Sequence, residues 1–163
     1  MWRPAGVRRL IGMTDHPLVP ADFAVPRTLV AEGFRLEPLG EQHNESDHAA
    51  WTSSIEYIRA DAGFTGGWPP AGGMTPEQNL ADLRRHAADF EQRRGFTYTV
   101  LEPDADVVVG CVYIYPDRAD PSVTKVCSWV RADRAELDAV LRRTVSAWLA
   151  ESWPLREVRY SPR

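Results

Sequence analysis

Three apolar stretches with almost no chain between them constrain this sequence most: FTYTVLE (96–102), VVVGCVYIY (107–115) and TKVCSWVR (124–131). The links, PDAD and PDRADPS, are built from Pro, Asp and Ser, which is turn chemistry. Links that short join antiparallel neighbours, so the three stretches form a meander. A helical pattern over 134–152 then leads to LREVRY (155–160), which returns parallel to strand 124–131 in a right-handed crossover. If Tyr115 pairs with Val123, Cys111 faces Cys127, and a slip of one residue removes that pairing. Two reduced thiols side by side in the sheet are expected there, inert in mid-strand, with no basic neighbour to make Cys111 a nucleophile.

Helical patterns flank the meander. In 75–95, Thr75 caps, Pro76 takes the first helical position and Gln78 completes a capping box. Leu80, Leu83, Ala87 and Phe90 form its apolar stripe, and Gly95 is the expected stop. In 134–152 the stripe is Leu137, Val140, Leu141, Val145, Trp148 and Leu149, with an Asp133–Glu136 capping box before it. Upstream, FRLEPL (34–39) alternates as a strand. Asn44 and Asp47 then read as a cap for a helix that carries Trp51, Ile55 and Ile58 on one face and fades near Ala60. GFTGGWPPAGG (63–73) is a loop. Residues 1–28, with four prolines, are an extended arm, and 29–163 one domain. The expected class is α/β (α+β), a mixed sheet in the order β-α-α-β-β-β-α-β with helices on both faces.

Composition excludes several classes of function. A net charge of −4 over 163 residues lacks the clustered basic surface of a nucleic-acid binder. No apolar run is long enough to span a membrane. MWRPAGVRRLIGMTDHP has no apolar core for a secretory signal, and Met13 is an alternative start. Two cysteines build no disulfide framework, which points to a reduced, cytoplasmic protein. His43 and His48, with Glu45 and Asp47, fit no metal-ligand spacing, so no metal is expected.

The order of elements, and the phrases FRLEPLGEQHNESDHAAW, GGWP, NLADLRRHAADFEQRRGFTYTVL, VVGCVYIYP and SWVRADRAELDAVLRRTVSAWLAESWP, resemble the GNAT (N-acetyltransferase) superfamily over residues 34–160. The resemblance implies an acyl-CoA-dependent N-acyltransferase with acetyl-CoA as co-substrate and a small-molecule or protein amine as acceptor. It also implies that strands 124–131 and 155–160 splay around the pantetheine arm. Backbone near Trp129, Val130 and Arg131 would bind that arm, and the following helix start, with Arg134, would bind the diphosphate. The sequence departs from the family twice. VRADRAELD holds no glycine where the family has a Gly-rich phosphate turn, and it places Asp133 and Glu136 there instead. Like charges about 5 Å apart repel by roughly 3 kcal/mol at an effective dielectric of 20. The chain is also shortened, without the family's further helix and two strands, the helix often supplying a tyrosine that protonates the leaving thiolate. An enzyme would use the N–H groups of 131–136 for phosphate. The alternative, a non-catalytic GNAT-like binding or interaction module, would satisfy them with Asp133.

Acyl transfer needs a base near the amine and a donor for developing negative charge. Tyr113 and Glu56 are the catalytic candidates. Tyr115 and Trp68 are candidate walls of an acceptor pocket, although sheet packing and loop anchoring explain them too. His86 lies off the apolar stripe and is expected in solvent, as is Glu102 at a strand end. Strand 155–160 would be an open edge, covered by the proline-rich arm or by a second copy in a homodimer.

Overall fold

The computed structural model describes residues 17–162. The first half of the arm and the alternative start at Met13 lie outside the described residues. The elements are β1 (Leu29–Ala31), β2 (Phe34–Pro38), α1 (Asn44–Thr52), α2 (Ile55–Arg59), α3 (Pro76–Glu91), β3 (Phe96–Leu101), β4 (Val108–Pro116), β5 (Val123–Val130), α4 (Leu137–Ser152) and β6 (Glu157–Tyr160). They form one six-stranded sheet in sequence order, antiparallel throughout except for the parallel pair β5 and β6. The expected mixed α/β architecture is therefore present. The short β1 was not legible in the sequence; it forms a hairpin with β2 through Gly33 at φ 89°.

Strand alternation divides the core. Phe96, Tyr98, Val112, Ile114, Val126 and Val130 face α4, where Leu141, Val145, Trp148 and Leu149 meet them. Leu101, Cys111, Tyr113, Cys127 and Trp129 face α1 and α3 on the other side. β3 is buried along its whole length, so the sheet is covered on both faces there.

The connection from β4 to β5 is a loop over 117–122. Asp117 Oδ1 accepts from the N–H groups of Ala119 and Asp120, and Asp120 Oδ1 from that of Ser122. This compact loop closes the ladder at Pro116↔Thr124, so Tyr115 faces Lys125 and Tyr113 faces Cys127. The expected Tyr115–Val123 register is thus off by two residues. A shift of two keeps every side chain on its face, so both thiols stay in one cluster, but Cys111 is opposite Trp129.

Three helix ends also differ from expectation. The first helix is interrupted at Ser53 and Ser54, because the hydroxyls of Thr52 and Ser53 bond back to the carbonyls of His48 and Ala50 and compete with the helix ladder. Asn44 is not its cap, since a 3-10 turn over Glu41–His43 precedes it. α4 begins at Leu137 after a 3-10 turn, Ala132–Arg134, and no side chain caps either start. α3 has the expected Thr75–Gln78 box, yet it ends at Arg93 with φ 57° rather than at Gly95. Arg94 N–H bonds to Asp89 and Arg93 N–H to Phe90, the two reverse bonds of a Schellman stop.

Arg93 also ties down the arm. Its guanidinium donates to the carbonyls of Pro20 and Phe23, at 3.1 and 2.8 Å. Phe23 packs on Trp153, and the Tyr98 hydroxyl donates to Pro26. The described part of the arm therefore lies on the α4 side of the core and does not cover β6, whose residues 157–159 are exposed. Among the described residues, no helix is long and apolar enough to cross a membrane.

The left-handed backbone at Arg93 costs a side-chain-bearing residue about 1 kcal/mol. Urea unfolding should find Arg93→Gly more stable than Arg93→Ala by that amount, since both lose the arm contacts and only glycine relieves the backbone. Equal stabilities would contradict this.

Candidate functional site

The face between the sheet and α1 and α3 holds a dense aromatic cluster. Trp68 reaches it from the Gly/Pro-rich loop, with ring centroids 5.7 Å from Trp51, 5.6 Å from Phe64, 6.2 Å from Tyr113 and 6.1 Å from Trp129. The Tyr113 hydroxyl accepts from Trp129 Nε1 at 3.0 Å, and burial raises its pKa well above the usual phenol value. Beside these rings is a cavity of about 20 Å³, lined by Asp47, Asn79, Asp82, His86, Trp68 and Tyr113 among others. That is room for about one water-sized group.

Asn79 organises one wall. Its Oδ1 accepts from Trp51 Nε1 at 3.0 Å, and its Nδ2 donates to Asp47 Oδ2 at 3.0 Å and Asn44 Oδ1 at 2.9 Å. Burial pushes the Asp47 carboxyl up to about 6, only partly offset by the bond from Asn79. On the opposite side His86 is 7% exposed, not in solvent as its neighbours in sequence suggested. Its Nδ1 lies 2.9 Å from both the Tyr115 hydroxyl and Thr97 Oγ1. Burial, then the Arg85 charge, pushes His86 down to about 3, so the ring is neutral. Asn79, Asp82, Leu83, His86 and Phe90 are the buried residues of α3. Their spacing of 3, 1, 3 and 4 is a helical stripe in which three members are polar, so a reading based on apolar residues alone rotates it.

The donor side is set by backbone parity. In an antiparallel ladder alternate residues turn both backbone groups to the same neighbour. Arg131 N–H bonds to Val109 in β4, whereas Val126 C=O accepts from Ser161 on the β6 side. Ser128 and Val130 therefore direct their backbone groups toward β6, and Trp129 and Arg131 direct theirs toward β4. Pairing with β6 ends at Val126↔Tyr160. Beyond it the Tyr160 and Ser128 hydroxyls bond at 2.6 Å, and Gly63 lies against Ser161 and Cys127 so closely that a Cβ would be 3.1 and 3.3 Å from theirs.

At the start of α4, Arg131 grips Asp133 with two bonds, at 2.9 and 2.6 Å. Asp133 is thereby turned to the guanidinium instead of capping the helix. Arg134 pairs with Glu102, which is thus not merely solvated, and with Glu136 at 3.7 Å. Ala132 N–H donates to Ser54 Oγ at 2.9 Å. Two guanidinium groups thus meet three carboxylates, a net negative end without glycine. The residues present do not fit a diphosphate.

The other candidates lie elsewhere. Glu56 is exposed on α2, away from the cavity lining. Cys111 and Cys127 are buried free thiols whose pKa values burial raises, that of Cys127 to about 12. His43 bonds Gly40 N–H and Glu37, and His48 bonds the Met74 carbonyl. Among the described residues no group of three His, Cys, Asp or Glu is placed to hold a metal ion.

No family model matches the chain. It is 30% identical over 131 residues to the phosphoribosylformylglycinamidine synthase subunit PurL of Rhodococcus jostii (strain RHA1) and, equally, to that of Rhodococcus erythropolis. The match covers 74% of this chain, which spans only 16% of the length of those relatives. Among solved structures it is similar to the ribosomal-protein-S5-alanine acetyltransferase of Vibrio fischeri, with a TM-score of 0.65 at 11% identity, covering 82% of this chain and 72% of that one. It is also similar to the microcin C7 self-immunity acetyltransferase MccE in complex with acetyl-CoA and AMP, with a TM-score of 0.59 at 13% identity, covering 78% and 67%. Identities this low establish shared architecture.

The Asp47 carboxyl binds its proton more tightly folded than unfolded, so its charge costs stability once pH rises through about 4 to 6. His86 titrates with the opposite sign, because folding holds it neutral and its contribution is lost as pH falls. The two offset each other in the wild type, so the comparison must be between variants. Asp47→Asn should gain stability over wild type as pH rises from about 4 to 6, reaching ~3 kcal/mol, then level off. A pH-independent difference in urea unfolding would show that Asp47 is not buried as described.

Proposed function

For a chain with the GNAT fold, we propose an acyl-CoA-dependent N-acyltransferase acting on a small-molecule or protein amine at the point where β5 parts from β6. One observation carries this reading. The same four residues of β5 turn the backbone groups of Ser128 and Val130 toward the gap and the side chains of Cys127 and Trp129 toward the aromatic, acidic pocket. A thioester held along that edge would lie beside an acceptor held between Trp68, Tyr113, Asp47 and His86.

Acetyl-CoA, when bound, supplies the activated acyl group. The chain contributes an edge for amide-like groups of the pantetheine arm and a largely water-free pocket for the amine. Among the sequence candidates, Tyr113 is the one whose hydroxyl bonds a β5 side chain, its oxygen oriented by Trp129 Nε1. Arg131 and Arg134 are committed to Asp133, Glu102 and Glu136. Donor affinity on this reading rests on the pantetheine arm, and Ser161 and the Ala62–Phe64 turn must give way to admit it. The alternative, a non-catalytic module that keeps the architecture without the co-substrate, rests on the same ionic closure, although Asp133 does not satisfy the N–H groups at the start of α4.

The edge strand β6 suits pairing with a second copy. An antiparallel two-fold centred on Val158, which is 37% exposed, places Glu157 opposite Arg159 of the second copy and so makes the edge self-complementary in charge. Sedimentation should show a dimer that Val158→Pro converts to monomer, because proline removes a ladder donor and blocks edge pairing. A wild-type monomer at all concentrations would end the dimer proposal.

Calorimetry separates the two functional readings. Acetyl-CoA and S-acetylpantetheine should bind with similar dissociation constants near 100 μM, about 5.5 kcal/mol, since the diphosphate adds nothing. No heat from either ligand at millimolar concentration would leave the module as the function.

A further inference from the structure

Asp47 lies on α1 and is only 4% exposed, yet its side chain lines the cavity beneath Trp68. Asn79 fixes its orientation. That amide accepts from Trp51 Nε1 at 3.0 Å and donates to Asp47 Oδ2, also at 3.0 Å, so neither side chain turns freely. Among the described residues this is the hydrogen bond that the carboxylate accepts, and Oδ1 is left for whatever occupies the cavity. Burial holds the Asp47 carboxyl up at about 6 and the His86 ring down at about 3. The usual order is therefore reversed, and the carboxylate is the stronger base of the two. Asp82, the other acid of the lining, is engaged with Arg85, Nη2 to Oδ1 at 3.0 Å.

The cavity has room for about one water-sized group, and the head of an alkylammonium ion is of that size. Two carboxylates, a neutral imidazole and the Trp68 and Tyr113 rings surround it, a lining that favours a cation over an anion. A nitrogen carrying carbon on every side does not fit.

We propose that Asp47 is the catalytic base of this pocket, its Oδ1 taking a proton from a primary alkylammonium group seated in the cavity. The base role rests on the acyltransferase reading, whereas the ammonium seat does not. One ammonium proton moves to Oδ1, which leaves a neutral amine and a carboxylic acid. Both partners lose their charge, and in a site closed to water this offsets the cost of burying two ions. The amine nitrogen then bonds to the thioester carbonyl carbon, the carbon–sulfur bond breaks, and sulfur leaves with its electron pair and takes a second proton from nitrogen. The third proton stays on the amide. As the amide departs and water enters, Asp47 releases its proton to solvent, since neutral pH lies above its midpoint. One ammonium ion and one thioester thus give one amide, one thiol and one proton. The titratable or charged groups around Asp47 are His43 on the preceding 3-10 turn, His48 on α1, Asp82, Arg85 and His86 on α3, and Cys111 and Tyr113 on β4. Asp47 would touch substrate, while Asn79 is a positioning residue.

The seat can be read without acetyl-CoA, by carbon NMR titration of the full chain labelled at its aspartate carboxyls. Methylammonium chloride is the probe, with sodium chloride and tetramethylammonium chloride at equal ionic strength as references. Methylammonium should bring the Asp47 midpoint from about 6 down to about 5 or below, the effect of an opposite charge in contact. Tetramethylammonium should match sodium. Asp47→Asn identifies the signal, and by the stability argument above it folds. With acetyl-CoA and a low concentration of methylamine, CoA release should rise with pH through about 6, because the base acts ionised. Asp47→Asn should slow release about 100-fold and remove that rise. A midpoint that methylammonium moves no further than sodium does would overturn the seat and the base together. Release as fast in Asp47→Asn as in wild type would overturn the base. Failure of acetyl-CoA to bind, with the methylammonium effect intact, would remove the acyltransferase reading and the base role with it and leave the cation seat standing.

Discussion

Alternation along β5 is the constraint on which the rest of the molecule depends. The strand is paired to β4 along its whole length and to β6 only over its first half. Its side chains are already assigned to the two cores, so its backbone has no freedom to choose which residues face the gap. Ser128 and Val130 must do so, and Cys127 and Trp129 must point into the aromatic cluster. A slip of one residue would exchange the α4 core for the pocket and destroy both.

The pocket beyond β5 combines groups that are costly to bury. Asp47, Asn79, Asp82 and His86 are all under a tenth exposed. Asn79 makes this tolerable on one side by bonding both Trp51 and Asp47, and the Thr97 and Tyr115 hydroxyls do so on the other. A purely structural core would be served better by apolar residues of similar volume. Retaining two carboxylates and an imidazole around a water-sized cavity is the pattern expected of a site that handles protons. The start of α4 shows the opposite economy, with its charges neutralising one another and leaving little for an incoming anion.

Much of the fold was legible in the sequence because it is written in local signals. The meander follows from turn chemistry at 103–106 and 116–122, the α3 start from Thr75, Pro76 and Gln78, and the parallel return from a helix between two strands. What was not legible depends on contacts between distant residues. The β4–β5 register follows from how Asp117 and Asp120 fold their loop. The failure of Asp133 to cap follows from Arg131, two residues away but projected back alongside it. His86 was misplaced because its partners, Tyr115 and Thr97, lie on two other strands. Of the residues named for backbone contacts, Val130 turns its backbone groups toward β6 while Trp129 and Arg131 turn theirs to β4, a distinction that needs the observed ladder.

On the proposed reading, an acyl-CoA thioester lies along the β6-facing edge of β5, held by its pantetheine arm. Backbone amide NMR during titration with acetyl-CoA tests it most directly. Shifts are expected to concentrate at Ser128, Val130, Gly63 and Ser161, with residues 132–136 nearly silent. Shifts confined to 132–136, or none anywhere, would contradict it.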